Sequence, residues 1–349
     1  MRYSVPHPIP YQGSKRHLAP AILSFIPRGR FTRLIEPFAG SAAIALAVAS
    51  QHLCERYVIS EFLPPLAELW REIIARPEAL SKRYRALWKS QGENPRERFN
   101  EIRAAFNVDH EPAKLLYLLA RCVKNAVRFN ATGKFNQSPD NRRLGVRPDT
   151  EEREIWGAHR VLSGHCEVLC ADFRETLCHA TSNDLVYLDP PYEGISNGRD
   201  RRYIRGVKRE ELVEALDDLN RRSVQFLLSY DGTCGDKSYG AALPSFLCAH
   251  RVHLDAGRSS QATLAGRNLK TIESLYVSAG LGEGRSVPSA FHWKEPASRA
   301  LHAAHILCDF CNPVVSTGAS RMTFRDRRVG SFSCPNANSH SALPETRPR

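Results

Sequence analysis

Between residues 22 and 57 the hydrophobic pattern changes period twice. An amphipathic helical stretch gives way to a short apolar run, Arg33-Leu-Ile-Glu36, which stops at Pro37-Phe-Ala-Gly40. Residues 41–49 are rich in alanine with apolar positions at helical spacing, which predicts a helix packed closely on a sheet. Tyr57-Val-Ile-Ser-Glu61 then predicts a second short strand. Strand, loop, helix and strand in that order open a parallel α/β sheet.

From residue 66 the texture turns helical, with predicted helices over 66–74, 80–89 and 112–122. Residues 125–148 are polar and basic, contain Gly133 and Pro139, and predict a loop or hairpin. Strand signals return over 166–170 and 185–188, followed by a helix over 212–219 and strands over 224–229 and 271–277. The expected organisation is a discontinuous α/β domain, 1–68 and 151–279, interrupted by a helical, basic insertion at 69–150. Beyond 279 the chain is Gly, Ser, Pro, Arg and His with weak periodicity, and 280–349 is expected to be a partly disordered appendage.

Composition narrows the class. A chain of 349 residues with 42% hydrophobic and 25% charged positions excludes wholesale disorder, collagen and coiled coil. No apolar run reaches the ~18–20 residues of a membrane span. The opening Met1-Arg-Tyr-Ser-Val-Pro-His-Pro8 lacks the apolar core of a signal peptide, so a soluble, cytoplasmic protein is expected. The ten cysteines are scattered without a framework and read as reduced thiols. A net charge of +12 favours a polyanionic partner, nucleic acid before membrane.

Four segments carry chemistry. In Leu185-Val-Tyr-Leu-Asp189-Pro190-Pro191-Tyr192 an apolar strand runs into an acid, two prolines and an aromatic ring. The amino group on a nucleobase is a poor nucleophile, because its lone pair is delocalised into the ring. The Asp189 carboxylate and the Pro190 carbonyl can accept its hydrogen bonds and aim that lone pair at an electrophile. The prolines fix φ and remove competing amide donors, and Tyr192 offers a flat face to an extruded base. The second segment, Glu36-Pro37-Phe38-Ala39-Gly40, sits at a strand-to-helix junction where a nucleotide-like cofactor binds, but lacks the glycines a pyrophosphate needs. Glu61 ends the next strand near the spacing at which an acid clasps ribose hydroxyls. The third, Tyr11-Gln-Gly-Ser-Lys15, suits a carboxylate-wrapping loop and is equally an ordinary turn. The fourth is charge: Arg121 to Arg147 holds seven basic residues against Asp140, and Arg199 to Arg209 holds six against Asp200. Lys and Arg neutralise phosphates, while Asn and Arg read base edges.

Taken in order, Tyr-x-Gly-Ser-Lys, Glu-Pro-Phe-x-Gly, Arg128-Phe-Asn-x-x-Gly-x-Phe-Asn136 and Asp-Pro-Pro-Tyr resemble the DNA adenine methylase family over residues 11–277. These are alpha-class, S-adenosylmethionine-dependent adenine-N6 methyltransferases. The resemblance implies a Rossmann-like methyltransferase sheet with a target-recognition insertion. It implies that Tyr11, Lys15, Glu36, Phe38, Gly40, Glu61, Asp172, Phe173 and Asp189 form the S-adenosylmethionine site. It assigns the chemistry to Asp189, Pro190, Pro191 and Tyr192, and contacts with double-stranded DNA to Lys124, Arg128, Asn130, Lys134 and Asn136. The implied reaction is one direct displacement, with no membrane association and with a separate restriction endonuclease as a conceivable partner. Glu61 departs from the Asp commoner in the family. Cytosine-N4 or RNA amino groups are alternative acceptors, and a DNA-binding module without catalysis is the rival of another class. Cys308-x-x-Cys311 with His302, His305, Cys334 and His340 lacks the second close pair of a zinc site, so no metal is expected.

Overall fold

The structure, a computed structural model, describes residues 5–191, 207–235, 237–248, 250–258 and 270–282. Tyr192, most of the second basic run and all Cys and His residues of the expected appendage lie outside them. An eight-stranded sheet organises the chain in the order β3-β2-β1-β4-β5-β8-β7. Its strands are β1 (Arg33–Glu36), β2 (Arg56–Ser60), β3 (Cys166–Leu169), β4 (Asp184–Leu188), β5 (Gln225–Cys234), β6 (Lys237–Tyr239), β7 (His250–Arg258) and β8 (Lys270–Val277), with β6 paired to β5. The first five in that order are parallel; β8 and β7 are antiparallel. From β1 the chain steps outward to β2 and β3, then returns to β4 on the other side. The order therefore reverses between β1 and β4, the crevice where α/β sheets bind ligands beyond their strand ends.

Helices cover both faces. β4 is buried along its whole length, as a central parallel strand must be. Its residues alternate: Leu185 and Tyr187 join one core, Val186 and Leu188 the other. The second core is closed by α8 (Phe173–Cys178) and α9 (Arg209–Arg221). On the first face lie α1 (Ala19–Leu23) and α2 (Ala43–Ser50), whose small side chains are buried from Ala43 to Ala49. Beyond them stand α3 (Pro64–Ala75), α4 (Pro77–Lys89), α5 (Pro95–Asp109), α6 (Pro112–Arg121) and α7 (Pro148–Leu162). Each of these five begins on proline, whose fixed φ and missing N–H suit the first helical position.

The boundaries expected at 68/69 and 150/151 fall inside α3 and α7. The cause is packing: Leu69, Trp70 and Ile73 of α3 share one core with α2 and the sheet. No described helix is long and apolar enough to cross a membrane.

Candidate active site

The parallel strands deliver acids to one edge. Glu36 is the last residue of β1, Glu61 follows β2, Asp172 lies shortly after β3, and Asp189 follows β4. Above them opens a cleft of about 840 Å³, lined by Tyr11, Lys15, Phe38, Gly40, Glu61, Asp172, Phe173, Asp189, Pro190 and Pro191 among others. Eight of the nine residues expected to form the cofactor site line this cleft.

Glu36 is the exception. It is buried beneath the cleft wall, where its Oε2 accepts the Ala45 N–H at 2.7 Å. It thus satisfies an amide in the first turn of α2, an orphan donor that every helix start must place. Burial pushes its carboxyl up to about 8, with the Ala45 N–H opposing and the Asp189 charge adding to the shift. Near neutral pH Glu36 is therefore mostly protonated.

The loop after β1 is built for tightness. Gly40 has φ +49°, and a Cβ there would meet the Tyr11 ring at 3.1 Å, so any larger residue is both strained and crowded. Its N–H donates to Glu61 Oε2 at 3.0 Å, and its carbonyl accepts from Trp70 Nε1 at 3.0 Å. Glu61 Oε1 also accepts the Leu63 N–H, at 3.3 Å. Burial raises the Glu61 carboxyl, and these amides pull against that rise. Two rings, Phe38 and Phe173, lie 5.1 Å apart between the ends of β1 and β3. Asp172 caps α8 through the Arg174 N–H at 3.0 Å and pairs with the Arg174 side chain.

Asp189 does not stand alone. Its Oδ1 is 2.8 Å from Lys15 Nζ, and the same ammonium lies 3.5 Å from Glu273 Oε2 and 3.3 Å from the Gly13 carbonyl. Lys15, one of the residues expected at the cofactor site, lines the cleft and pairs with Asp189. Burial pushes the Asp189 carboxyl up to about 6; Lys15 opposes the shift and Glu273 adds to it. Glu273 escaped the sequence reading. Its one signal was a lone acid inside the apolar run Ile272-Glu273-Ser-Leu-Tyr-Val277, a charge that a sheet can shelter only with a partner.

The residues expected to meet DNA separate into two groups. Residues 122–139 double back as a ribbon, with Asn136 N–H donating to Arg128 O at 3.1 Å and Asn130 N–H to Lys134 O at 2.8 Å. Phe129 and Phe135 meet edge to face at 5.6 Å and pack on Phe106 of α5. Asn107 clasps the Phe135 backbone through both its amide atoms. Asn130, Lys134 and Asn136 are exposed at and near the tip. Asn130 Oδ1, however, accepts from Thr132 N, Thr132 Oγ1 and Lys134 N, so this oxygen builds the turn. Lys124 lies at the ribbon's root and lines the cleft. It and Asn125 are left-handed (φ 61° and 52°), and the Asn125 carbonyl accepts the Gln12 N–H at 3.0 Å.

Charge in this segment is also less available than a count suggests. Arg121 is buried, bonded to Gln91 and to the Asp140 and Arg143 carbonyls. Arg142 and Arg143 both pair with Asp140, and the Arg142 bond holds that carboxyl well below the usual range.

A family model described as D12 class N6 adenine-specific DNA methyltransferase matches residues 11–277. The retron Ec67 DNA adenine methylase of Escherichia coli is 30% identical over 194 residues, covering 54% of this chain and 64% of that protein. The DNA N-6-adenine-methyltransferase of Escherichia phage P1 is 27% identical over 235 residues, covering 64% of this chain and 29% of its own length. The DNA adenine methylase of Serratia marcescens is 27% identical over 190 residues, covering 53% and 66%. The chain thus spans less than two thirds of the length of each of these relatives.

Proposed function

The chain belongs to the family of D12 class N6 adenine-specific DNA methyltransferases, and from that premise we propose that it methylates the N6 amino group of adenine in double-stranded DNA, using S-adenosylmethionine. The observation that carries this reading is the Lys15–Asp189 pair at the end of β4, opening on a cleft beside the β1 loop.

The cleft fits a nucleoside-type cofactor without phosphates. The amide of Gly40 is engaged by Glu61 and that of Ala45 by Glu36, so these loop and helix donors do not await a pyrophosphate. Glu61 is the acid for ribose hydroxyls, and Phe38 and Phe173 are the apolar walls for a purine. When bound, S-adenosylmethionine supplies a methyl group activated by its sulfonium.

The protein's own work is alignment. Asp189 and the Pro190 carbonyl accept the two hydrogens of the substrate amino group, turning its lone pair out of ring conjugation and toward the methyl donor. With its carboxyl near 6, Asp189 is ionised at neutral pH yet far too weak a base to deprotonate an aromatic amine. Its role is to hold charge where positive charge develops on nitrogen. Pro190 and Pro191 keep the two acceptors aimed. Lys134 supplies salt-dependent attachment to the duplex, and Arg128 reads a base edge.

The test is transfer of radiolabelled methyl groups from S-adenosylmethionine to plasmid DNA, followed by nucleoside analysis. N6-methyldeoxyadenosine is the expected product. Label in N4-methyldeoxycytidine, or labelled RNA with unlabelled DNA, would overturn the adenine assignment. Tight DNA binding with no transfer would favour the non-catalytic module.

A further inference from the structure

A second carboxylate shares the ammonium that holds the aligning aspartate. Lys15 is buried (8% exposed) and lies between Asp189 (21%) and Glu273 (17%), each partly open to the cleft. The two acids come from different parts of the sheet, β4 and the antiparallel β8. Their meeting depends on a local irregularity: the β5–β8 register shifts between Ser229 and Gly232, and Gly232 then pairs with Glu273. A Cβ on Gly232 would collide with the Ile272 carbonyl and come within 3.3 Å of Glu273 Cα. Glycine at 232 therefore lets β8 close in and carry Glu273 to the site.

We propose that Glu273 is a positioning residue of the reaction: it draws the Lys15 ammonium between two carboxylates, so that Lys15 steadies Asp189 Oδ1 without closing over the whole carboxylate. A lysine facing one aspartate alone in a sheltered site would settle on both oxygens. It would compete with the substrate amino group for the lone pairs the reaction needs, and would lower the carboxylate's basicity. With Glu273 present, the ammonium is divided, and Asp189 keeps the stronger acceptor character of a carboxylate with a like-charged neighbour. Among the described residues, the charged and titratable groups that act on Asp189 include Lys15 from the N-terminal loop, Glu273 from β8, Glu36 from β1 and the buried Tyr187 from β4. Glu273 contacts Lys15 alongside Asp189, whereas Glu36 is occupied with the start of α2.

The inference rests on the proposed alignment role of Asp189, yet its test does not require turnover. Protein carrying 13C-labelled aspartate carboxyls is titrated by NMR with neither DNA nor methyl donor present, Asp189→Asn assigning the resonance. Glu273→Gln, nearly isosteric, should lower the Asp189 midpoint by about one pH unit. Glu273→Asp, which keeps the charge on a shorter arm, should move it less and in the same direction. In single-turnover transfer, Glu273→Gln should cut the rate several-fold and shift its acid limb down with the NMR midpoint. Affinity for DNA should stay unchanged. An unmoved midpoint in whichever of the two variants folds would overturn the proposal. A moved midpoint in a protein that never methylates DNA would uphold the electrostatic arrangement and sink the proposed function instead.

Discussion

Asp189 sits where burial and Lys15 pull its proton affinity in opposite directions, and burial wins, leaving the carboxyl near 6. An ordinary aspartate near 4 would leave activity flat through pH 5. Here the protonated form, which cannot accept as a carboxylate, already accumulates as pH falls through about 6. Single-turnover rates should therefore decline roughly tenfold per unit below that point; a rate flat to pH 5 would contradict the role. Glu36 gives an opposite kind of signature, in stability. Its native carboxyl titrates near 8 against an ordinary 4.5, so the native state holds an extra proton between those values. Stability from this group is full below the lower value and is lost as pH rises through the upper one. Glu36→Gln should flatten that part of the stability–pH curve, read as thermal midpoints across pH 5–9; an unchanged slope would mean that Glu36 is not the group responsible. Gly40→Ala forces a side chain into φ +49° and onto the Tyr11 ring. It should weaken S-adenosylmethionine binding in calorimetry without DNA by tenfold or more, since backbone strain of this type costs about 1–3 kcal/mol.

The elements most legible in the sequence were the central strands. β1, β2 and β4 are short apolar runs that end at acids, a pattern that burial on both faces of a parallel sheet imposes, whereas β3 is the sheet's edge strand and only partly buried. Helices α5 and α7 were not anticipated. In α5 only Phe99, Ile102 and Phe106 are buried in fifteen residues of mostly polar surface, so its apolar stripe is thin. β7 was missed because it is an edge strand, largely polar, with Leu254 its one buried hydrophobic residue. Acids at strand ends were readable one by one. That Lys15 would turn to Asp189, and that Glu273 would join them, depends on strands far apart in sequence and on a register shift no local pattern encodes. The ribbon's dependence on α5 gives a prediction at this scale. Asn107 holds the Phe135 backbone from both sides. Asn107→Ala should loosen DNA binding while leaving cofactor affinity intact, measured by fluorescence anisotropy and calorimetry on the same preparation. Loss of both affinities would show that the ribbon and the cofactor loop do not behave as separate elements.

Across the whole molecule, a charge of +12 misleads if every arginine is assigned to DNA. Arg121 is a buried strut, and Arg142 and Arg143 are paired with Asp140. Lys134 at the exposed ribbon tip is a point charge of the kind that meets phosphate, whereas Arg128 has the planar fork suited to guanine. Lys134→Ala should weaken binding to all sequences and reduce the salt slope by about one. Arg128→Ala should relax discrimination at one base pair by about 1–3 kcal/mol. If both changed only the salt slope, the ribbon would be an attachment device without base readout.

In the proposed reaction Asp189 is the aligning acceptor at the end of β4. The most direct measurement is single-turnover methyl transfer by Asp189→Asn, which keeps size and removes charge, with S-adenosylmethionine and DNA affinities determined alongside. The predicted result is a rate reduced ~10²-fold or more with both affinities within a few-fold of the unaltered protein. A rate close to that of the unaltered protein would contradict the account.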